Sequence, residues 1–324
     1  MKALLCEALG PPSTLVIRDL PGPDPAPDEA VVDVAFAALN FFDTLIIEGK
    51  YQVKPNLPFS PCGEFSGIVS AVGKYVAEFK AGDRVAGYCG HGAARQRLAC
   101  PTDQLALLPA PLSLERAAGL IVTYATSLHA LRQRAALQPG ETLAVLGASG
   151  GVGIAAVEIG GLLGARVIAC ASSPEKLAFA KLHGAHETLD YSRLDLKDEL
   201  KRLTAGTGVD VVYDPVGGDL TEAALRALGW QGRLLVVGFA AGPIPRLPLN
   251  LVLLKGCDVR GVFWGDFVRR QPRAHHENLQ QIVAWAADGS LKSHVHAIFP
   301  LEQAAEAMNL LAGRQAQGKV LLRP

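Results

Sequence analysis

Residues 143–153 read Leu-Ala-Val-Leu-Gly-Ala-Ser-Gly-Gly-Val-Gly. Four apolar residues that suit a buried strand run into a turn carrying Gly147, Ser149, Gly150, Gly151, Val152 and Gly153. A small-residue stretch suited to a helix follows at 154–159, and a second apolar run follows at 166–171. Strand, glycine turn, helix and strand in this order suit the binding of a diphosphate: glycines let the backbone approach the ligand, and the first-turn N–H groups of the helix have no partners within it. The second strand ends in Cys170-Ala-Ser-Ser-Pro-Glu-Lys176. Ala171, Ser172 and Ser173 stand where a site for a ribose 2′-hydroxyl carries Asp or Glu. Without that carboxylate a 2′-phosphate meets no repulsion, and Lys176 with the serine hydroxyls can bind it by charge-assisted hydrogen bonds. The pattern points to NADPH. Lys176 also suits a solvated first helical turn, and Glu175 would reach the ribose if the strand ended a few residues later.

The elements that must position this turn alternate. Strands are expected at 143–146, 167–171, 187–189, 209–214, 233–237 and 258–262. Helices are expected between them at 154–163, 174–183, 197–204, 219–228 and 248–255. Such alternation implies a doubly wound parallel sheet. Residues 1–120 differ. Short β-type runs at 3–6, 15–17, 30–35, 67–72, 84–87 and 94–99 are separated by Pro, Gly and Asp turns, which suggests a compact β-barrel-like unit. Two stretches, 40–61 and 89–93, read as loops and as natural places for substrate contacts. Ser113 is an N-cap candidate, and a longer helix is expected over 122–136. The tail after 265 is too short to stand alone and is expected to rejoin the first domain. The expected division is 1–120 with 266–324, and 121–265.

Composition narrows the function. The 324 residues carry 31 basic and 31 acidic side chains, with no basic or aromatic stripe, so nothing points to nucleic acid. The apolar window 143–171 holds several glycines, Glu158 and Arg166, and reads as sheet core rather than a membrane helix. The six cysteines have no CxxC spacing, and residues 1–8 lack a signal-peptide pattern; reduced thiols in a cytoplasmic protein are expected.

Read together, Asn40-Phe-Phe-Asp43, Gly49-Lys-Tyr51, Leu57-Pro-Phe-Ser-Pro61, Gly63-Glu64, Gly82-Asp-Arg-Val85, the glycine turn, Asp214-Pro-Val-Gly-Gly218 and Gly318-Lys319 resemble the medium-chain dehydrogenase/reductase superfamily. Within it the chain is most similar to the zinc-independent quinone oxidoreductase (zeta-crystallin-like) family. The resemblance implies a GroES-like β-barrel catalytic domain, a Rossmann domain with NADPH in the cleft between them, and a homodimer commonly paired through the Rossmann domains. It implies diphosphate contacts from Gly150, Gly151 and Val152, and a 2′-phosphate grip from Ser172, Lys176 and Tyr191. It places Thr123 beside the nicotinamide, and Gly238, Phe239, Phe263 and Trp264 around its ribose and amide. It places Lys319 near the cofactor, with Asn40 and Tyr51 facing the nicotinamide ring.

Zinc alcohol dehydrogenases of the superfamily carry Cys where Asn40 stands and His where Gly63 stands, and their third ligand falls near Val122. A catalytic zinc needs three protein ligands, so no metal is expected. Cys62 reads as a small buried residue, and His294-x-His296 as surface or core histidines. Asp43 is expected to hold its loop by bonding backbone N–H groups. Without a metal, the charge that develops on a reduced carbonyl must be spread or hydrogen-bonded. Quinones and conjugated enones spread it themselves, so the Asn40 amide or the Tyr51 hydroxyl would suffice. The leading expectation is NADPH-dependent quinone reduction. The alternatives are reduction of a conjugated C=C bond with Tyr51 as acid, and a non-catalytic NADPH-binding protein. Leu45 and Ile47 stand where some relatives carry tyrosine and arginine, which makes the pocket more apolar.

Overall fold

The computed structural model describes residues 1–324. The chain forms two compact units. The first comprises Met1–Val122, Leu279–Gly289 and Ser293–Pro324; the second comprises Thr123–Asn278 and Ser290–Lys292. No helix is long and apolar enough to cross a membrane.

The second unit is built on six parallel strands: β1 (Thr142–Leu146), β2 (Arg166–Ala171), β3 (Glu187–Asp190), β4 (Val209–Asp214), β5 (Leu228–Val236) and β6 (Asp258–Gly261). Their spatial order is β3-β2-β1-β4-β5-β6, the order of a doubly wound dinucleotide-binding fold. Every residue of β1 is buried, as are Val167 to Ala171 of β2, because helices cover both faces. The outer strands β3 and β6 are short and carry Glu187, Asp190, Asp258 and Arg260, which suits edges that meet solvent. The helix Gly151–Leu162 follows β1 and is buried from Gly153 to Gly160, so it has no polar stripe.

One acid sits inside that buried helix. Glu158 accepts hydrogen bonds from the Tyr124 hydroxyl at 3.0 Å, from His183 Nδ1 and from the Lys292 backbone N–H at 3.1 Å. A carboxylate only accepts, so the His183 proton on this side belongs on Nδ1. Glu158 thus ties three other segments to the helix that begins at the glycine turn.

The helix expected over 122–136 is instead an α-helix, Ile121–Leu128, continued by a π-helical stretch, His129–Arg134. The wider turn seats His129 against Phe267, with ring centroids 3.8 Å apart. His275 meets the edges of Trp264 and Phe267.

The first unit centres on one long strand, Glu29–Leu39. It pairs antiparallel with Glu64–Val72, Arg97–Pro101 and the C-terminal strand Lys319–Arg323. Register fixes what meets at its end: Ala38 pairs with Glu64, and Leu39 pairs with Val320. Asn40, Glu64 and Lys319 are therefore brought to one corner of the sheet. The expected loop 40–61 contains a short helix, Phe41–Ile47, with Asn40 at its N-cap. Asp43 reaches back to accept the Asn40 N–H at 2.7 Å, the backward half of a capping box.

Two outcomes follow from the second unit's buried polar groups. Glu158→Ala removes the acceptor shared by the buried Tyr124 and His183 side chains and the Lys292 N–H, and should cost roughly 3–5 kcal/mol of unfolding free energy in urea titration; an unchanged midpoint would refute the network. Burial pushes His129 and His275 each down to about 4. The unfolded chain, with histidine near 6.5, then binds more protons between those values, so stability should fall as pH drops from about 6.5 towards 4. The urea midpoint should track that window, and the dependence should flatten in His129→Phe/His275→Phe.

Candidate active site

In the second unit the glycine turn is shaped by backbone contact. Gly147 has φ +58°, a conformation that costs a side chain. A Cβ on Gly153 would lie 2.2 Å from the Gly147 carbonyl oxygen, so the helix packs against its own turn only with glycine there. Gly150 differs: a Cβ there meets nothing closer than 3.5 Å, and its φ of −73° suits any residue. Gly150 is the N-cap of the helix Gly151–Leu162, which has no side-chain cap and no acid in its first turn. The first-turn N–H groups, including those of Gly151 and Val152, form an uncapped cradle that fits a diphosphate. Ser127 bridges to this turn: its Oγ lies 3.0 Å from the Val152 carbonyl and 2.9 Å from the Tyr213 hydroxyl.

The other sequence-derived positions of this unit gather at the carboxyl ends of the strands. Ser172 and Lys176 follow β2, with Lys176 Nζ 3.4 Å from Ser172 Oγ. Tyr191 follows β3, and its N–H donates to the Ala171 carbonyl at 3.1 Å, which joins it to the end of β2. Arg193, exposed and 3.6 Å from Asp190, adds a cation at this end that sequence reasoning passed over. Gly238 and Phe239 follow β5; Phe239 packs against Gly217, where an added Cβ would lie 3.0 Å from its ring. Phe263 is half exposed and Trp264 buried after β6. Thr123 is buried in the helix Ile121–Leu128, and Ser149 is buried in the turn itself.

In the first unit the sheet corner holds a closed polar cluster. Asn40, Asp43, Glu64 and Lys319 are 7%, 1%, 0% and 4% exposed. Lys319 Nζ donates to Glu64 Oε2 at 3.0 Å and to Asn40 Oδ1 at 2.7 Å. Asn40 Nδ2 donates to Glu64 Oε2 at 3.1 Å, and the Val122 N–H donates to Glu64 Oε1 at 2.8 Å. Asn40 and Lys319 are thus in direct contact. Asp43 is pushed up to about 7, first by burial and further by Glu64, against the Asn40 and Cys62 N–H groups and Lys319, which favour the charged form. The Tyr51 phenol stacks on Phe42 with centroids 5.5 Å apart. Burial, and then Asp43, raises its pKa above the ordinary phenol value. Tyr88 feels the same carboxylate and is raised also, mainly by burial.

The residues at the zinc-ligand positions of alcohol dehydrogenases do not fit a zinc ion. A Cβ on Gly63 would lie 2.5 Å from the Gly90 carbonyl oxygen and 2.8 Å from the Tyr88 ring, so no side chain can project there. The Asn40 amide is engaged by Lys319 and Glu64, and Val122 offers only its N–H, to Glu64. No three His, Cys, Asp or Glu side chains are grouped to hold a metal. Cys62 is fully buried with φ +61°, a strained left-handed conformation.

Glu64 and Asp43 are the cluster members that sequence reasoning left outside the site. Glu64 stood in a quoted motif, and Asp43 stood three residues after the Asn40 cap; nothing local to either announced a lysine 255 positions from Glu64.

Fold and site together define a dinucleotide-dependent oxidoreductase, and comparison with known proteins agrees. Residues 26–129 match the family described as alcohol dehydrogenase GroES-like domain, and residues 151–287 match zinc-binding dehydrogenase. Quinone oxidoreductase-like protein 2 of Rattus norvegicus is 39% identical over 99% of this chain and 91% of its own. Quinone oxidoreductase of Pseudomonas aeruginosa is 34% identical over 100% and 99%. The crystal structure of Escherichia coli quinone oxidoreductase complexed with NADPH superposes with a TM-score of 0.93 at 31% identity, covering 100% of both chains. The chain belongs to the zinc-independent, quinone oxidoreductase-like family of medium-chain dehydrogenases/reductases. It is an NAD(P)H-dependent oxidoreductase.

The two glycines separate by experiment. Gly153→Ala should lower thermal stability sharply, since backbone must move. Gly150→Ala should keep its melting temperature within a few degrees yet weaken dinucleotide binding about tenfold or more, by setting a methyl group where the ligand approaches. Equal binding by Gly150→Ala and wild type, in a fluorescence titration, would contradict the cradle.

Proposed function

We propose that the protein reduces quinones with NADPH and without a metal. The observation that carries this reading is the Asn40 amide, held between Lys319 and Glu64 where the zinc enzymes carry a ligand. The second unit would hold the cofactor by the N–H groups of Gly151 and Val152, with Gly147, Ser149 and Gly150 beside it and with Ser172, Lys176 and Tyr191 on the 2′-phosphate. Thr123, Gly238, Phe239, Phe263 and Trp264 would flank the nicotinamide end. When bound, the reduced nicotinamide supplies hydride.

The chain's own groups act on the acceptor oxygen. Asn40 Nδ2 carries two hydrogens, of which Glu64 takes one. The second would donate to the oxygen on which negative charge develops, beside side chains that are almost wholly buried, where a fixed dipole counts for more than in solution. A quinone spreads that charge over its ring and needs only such a donor, whereas a simple ketone needs a cation or an acid. Reduction of a conjugated C=C bond is the second reading. Its support is the Tyr51 phenol, which burial keeps protonated and so available to a carbanion.

Pairing of two copies through the second unit is part of the same reading. Trp230, Leu249, Leu253 and Leu254 are exposed there, and β6 leaves one edge of the sheet open, with Val259 also exposed. A second copy laid along that edge would cover them. Sedimentation should give a dimer for wild type and a monomer for Leu253→Glu/Leu254→Glu; a wild-type monomer would refute the pairing.

Parallel assays with 1,2- and 1,4-quinones, enones and enoyl thioesters test the activity. NADPH should exceed NADH in kcat/KM by about tenfold to a hundredfold, the worth of one or two charge-assisted hydrogen bonds, and Lys176→Glu should erase the preference. Equal rates with NADH would remove the 2′-phosphate grip. Tyr51→Phe should leave quinone turnover intact; if it abolishes enone turnover alone, the two reactions use different acids.

A further inference from the structure

We infer that Lys319 is a positioning residue for the acceptor site, and that it acts by fixing which way the Asn40 amide faces. This rests on the reading of Asn40 as the donor to the acceptor oxygen. An ammonium has only hydrogens to offer, and a carboxylate only lone pairs. With Lys319 on one side of the amide and Glu64 on the other, only one orientation satisfies both: Oδ1 to Lys319 at 2.7 Å and Nδ2 to Glu64 at 3.1 Å. The flipped amide would set NH₂ against ammonium and oxygen against carboxylate. In a cluster this buried, neither repulsion is screened by solvent. The locked orientation leaves one Nδ2–H without a partner in the protein.

Two features separate this role from plain structural support. The pair is almost wholly buried, with side-chain exposures of 5% for Lys319 and 0% for Glu64. A hydrophobic pair of equal volume would serve stability as well as a buried ion pair does, so stability alone does not account for it. The space for the lysine stem is also made at a specific position. Gly119 ends the helix Leu114–Ala118, and a Cβ there would lie 2.7 Å from Lys319 Cγ and 3.1 Å from Cε. Gly119 therefore sets the path by which the ammonium reaches Asn40.

The test combines kinetics with a direct view of the amide. Lys319→Met should lower kcat about tenfold to a hundredfold, the worth of one well-aimed donor, while the NADPH dissociation constant stays within about twofold of wild type. Lys319→Arg should recover part of the loss. Gly119→Ala keeps every charge and should shift kcat in the same direction. In an Asn40→Leu background, Lys319→Met should have almost no further effect. Additive losses, or a weakened NADPH constant with unchanged kcat, would overturn the inference and place Lys319 on the cofactor instead. A loss of stability with unchanged kcat per folded molecule would overturn it too. The chain has five asparagines, so ¹⁵N-asparagine labelling resolves the Asn40 amide without any turnover. One of its two protons should be protected from exchange in wild type, and neither in Lys319→Met, where the amide shifts should also move towards those of a solvated asparagine. If wild type reduces no acceptor, the proposed function fails and the labelled spectra alone decide the lysine's role: identical spectra would refute it.

Discussion

The first unit depends on one buried ion pair. Glu64 is wholly buried, and both of its oxygens are used: Oε1 by the Val122 N–H, Oε2 by Lys319 and Asn40. Burying such a charge alone would cost several kcal/mol. The pair is possible because the C-terminal strand returns to lie against Glu29–Leu39 in a register that sets Lys319 beside the end of that strand. Removing either partner leaves the other as an unpaired charge in a buried site. The same pair hydrogen-bonds the Asn40 amide, so under the proposed function the stability of the corner and its chemistry share one set of atoms. Asp43, poised near neutrality by burial, supports that corner through the Asn40 N–H rather than through a second charge pair.

The second unit solves a different problem, and does so with backbone groups. Its glycines divide the work: Gly153 lets the helix pack on its own turn, and Gly150 leaves the front of the helix open. The helix start offers an anion backbone dipoles rather than side chains, and cations such as Lys176 and Arg193 stand at the strand ends. Glu158, the common acceptor of three other segments, holds the helix in place from within. A polar anchor inside an otherwise apolar helix resists sliding, because its donors accept only one register.

Much of this was legible in the sequence, and for physical reasons. The β and α alternation of the second unit could be read because strands covered on both faces are continuous apolar runs, as in Val167 to Ala171. Their helices start at signals such as Ser173, whose hydroxyl accepts the Lys176 N–H. The short helix Phe41–Ile47 escaped because Phe-Phe-Asp-Thr-Leu-Ile-Ile is β-branched, apolar and without helical periodicity; its one signal was Asn40 followed three residues later by Asp43. The π turn at His129–Arg134 escaped because hydrophobic spacing carries on through it. The Glu64–Lys319 pair was beyond sequence reasoning, since strand register, not spacing, brings these residues together. Gly119 carried no local sign of its role, as its neighbour in space comes from the last strand.

Under the proposed function a hydrogen-bonded amide, not a metal ion, polarises the acceptor. The most direct measurement is the rate of NADPH-dependent quinone reduction before and after exhaustive treatment with a strong zinc chelator, with metal content determined on the same samples. The rate should be unchanged at a metal content far below one ion per chain. A rate that falls on chelation and returns with added zinc would contradict it.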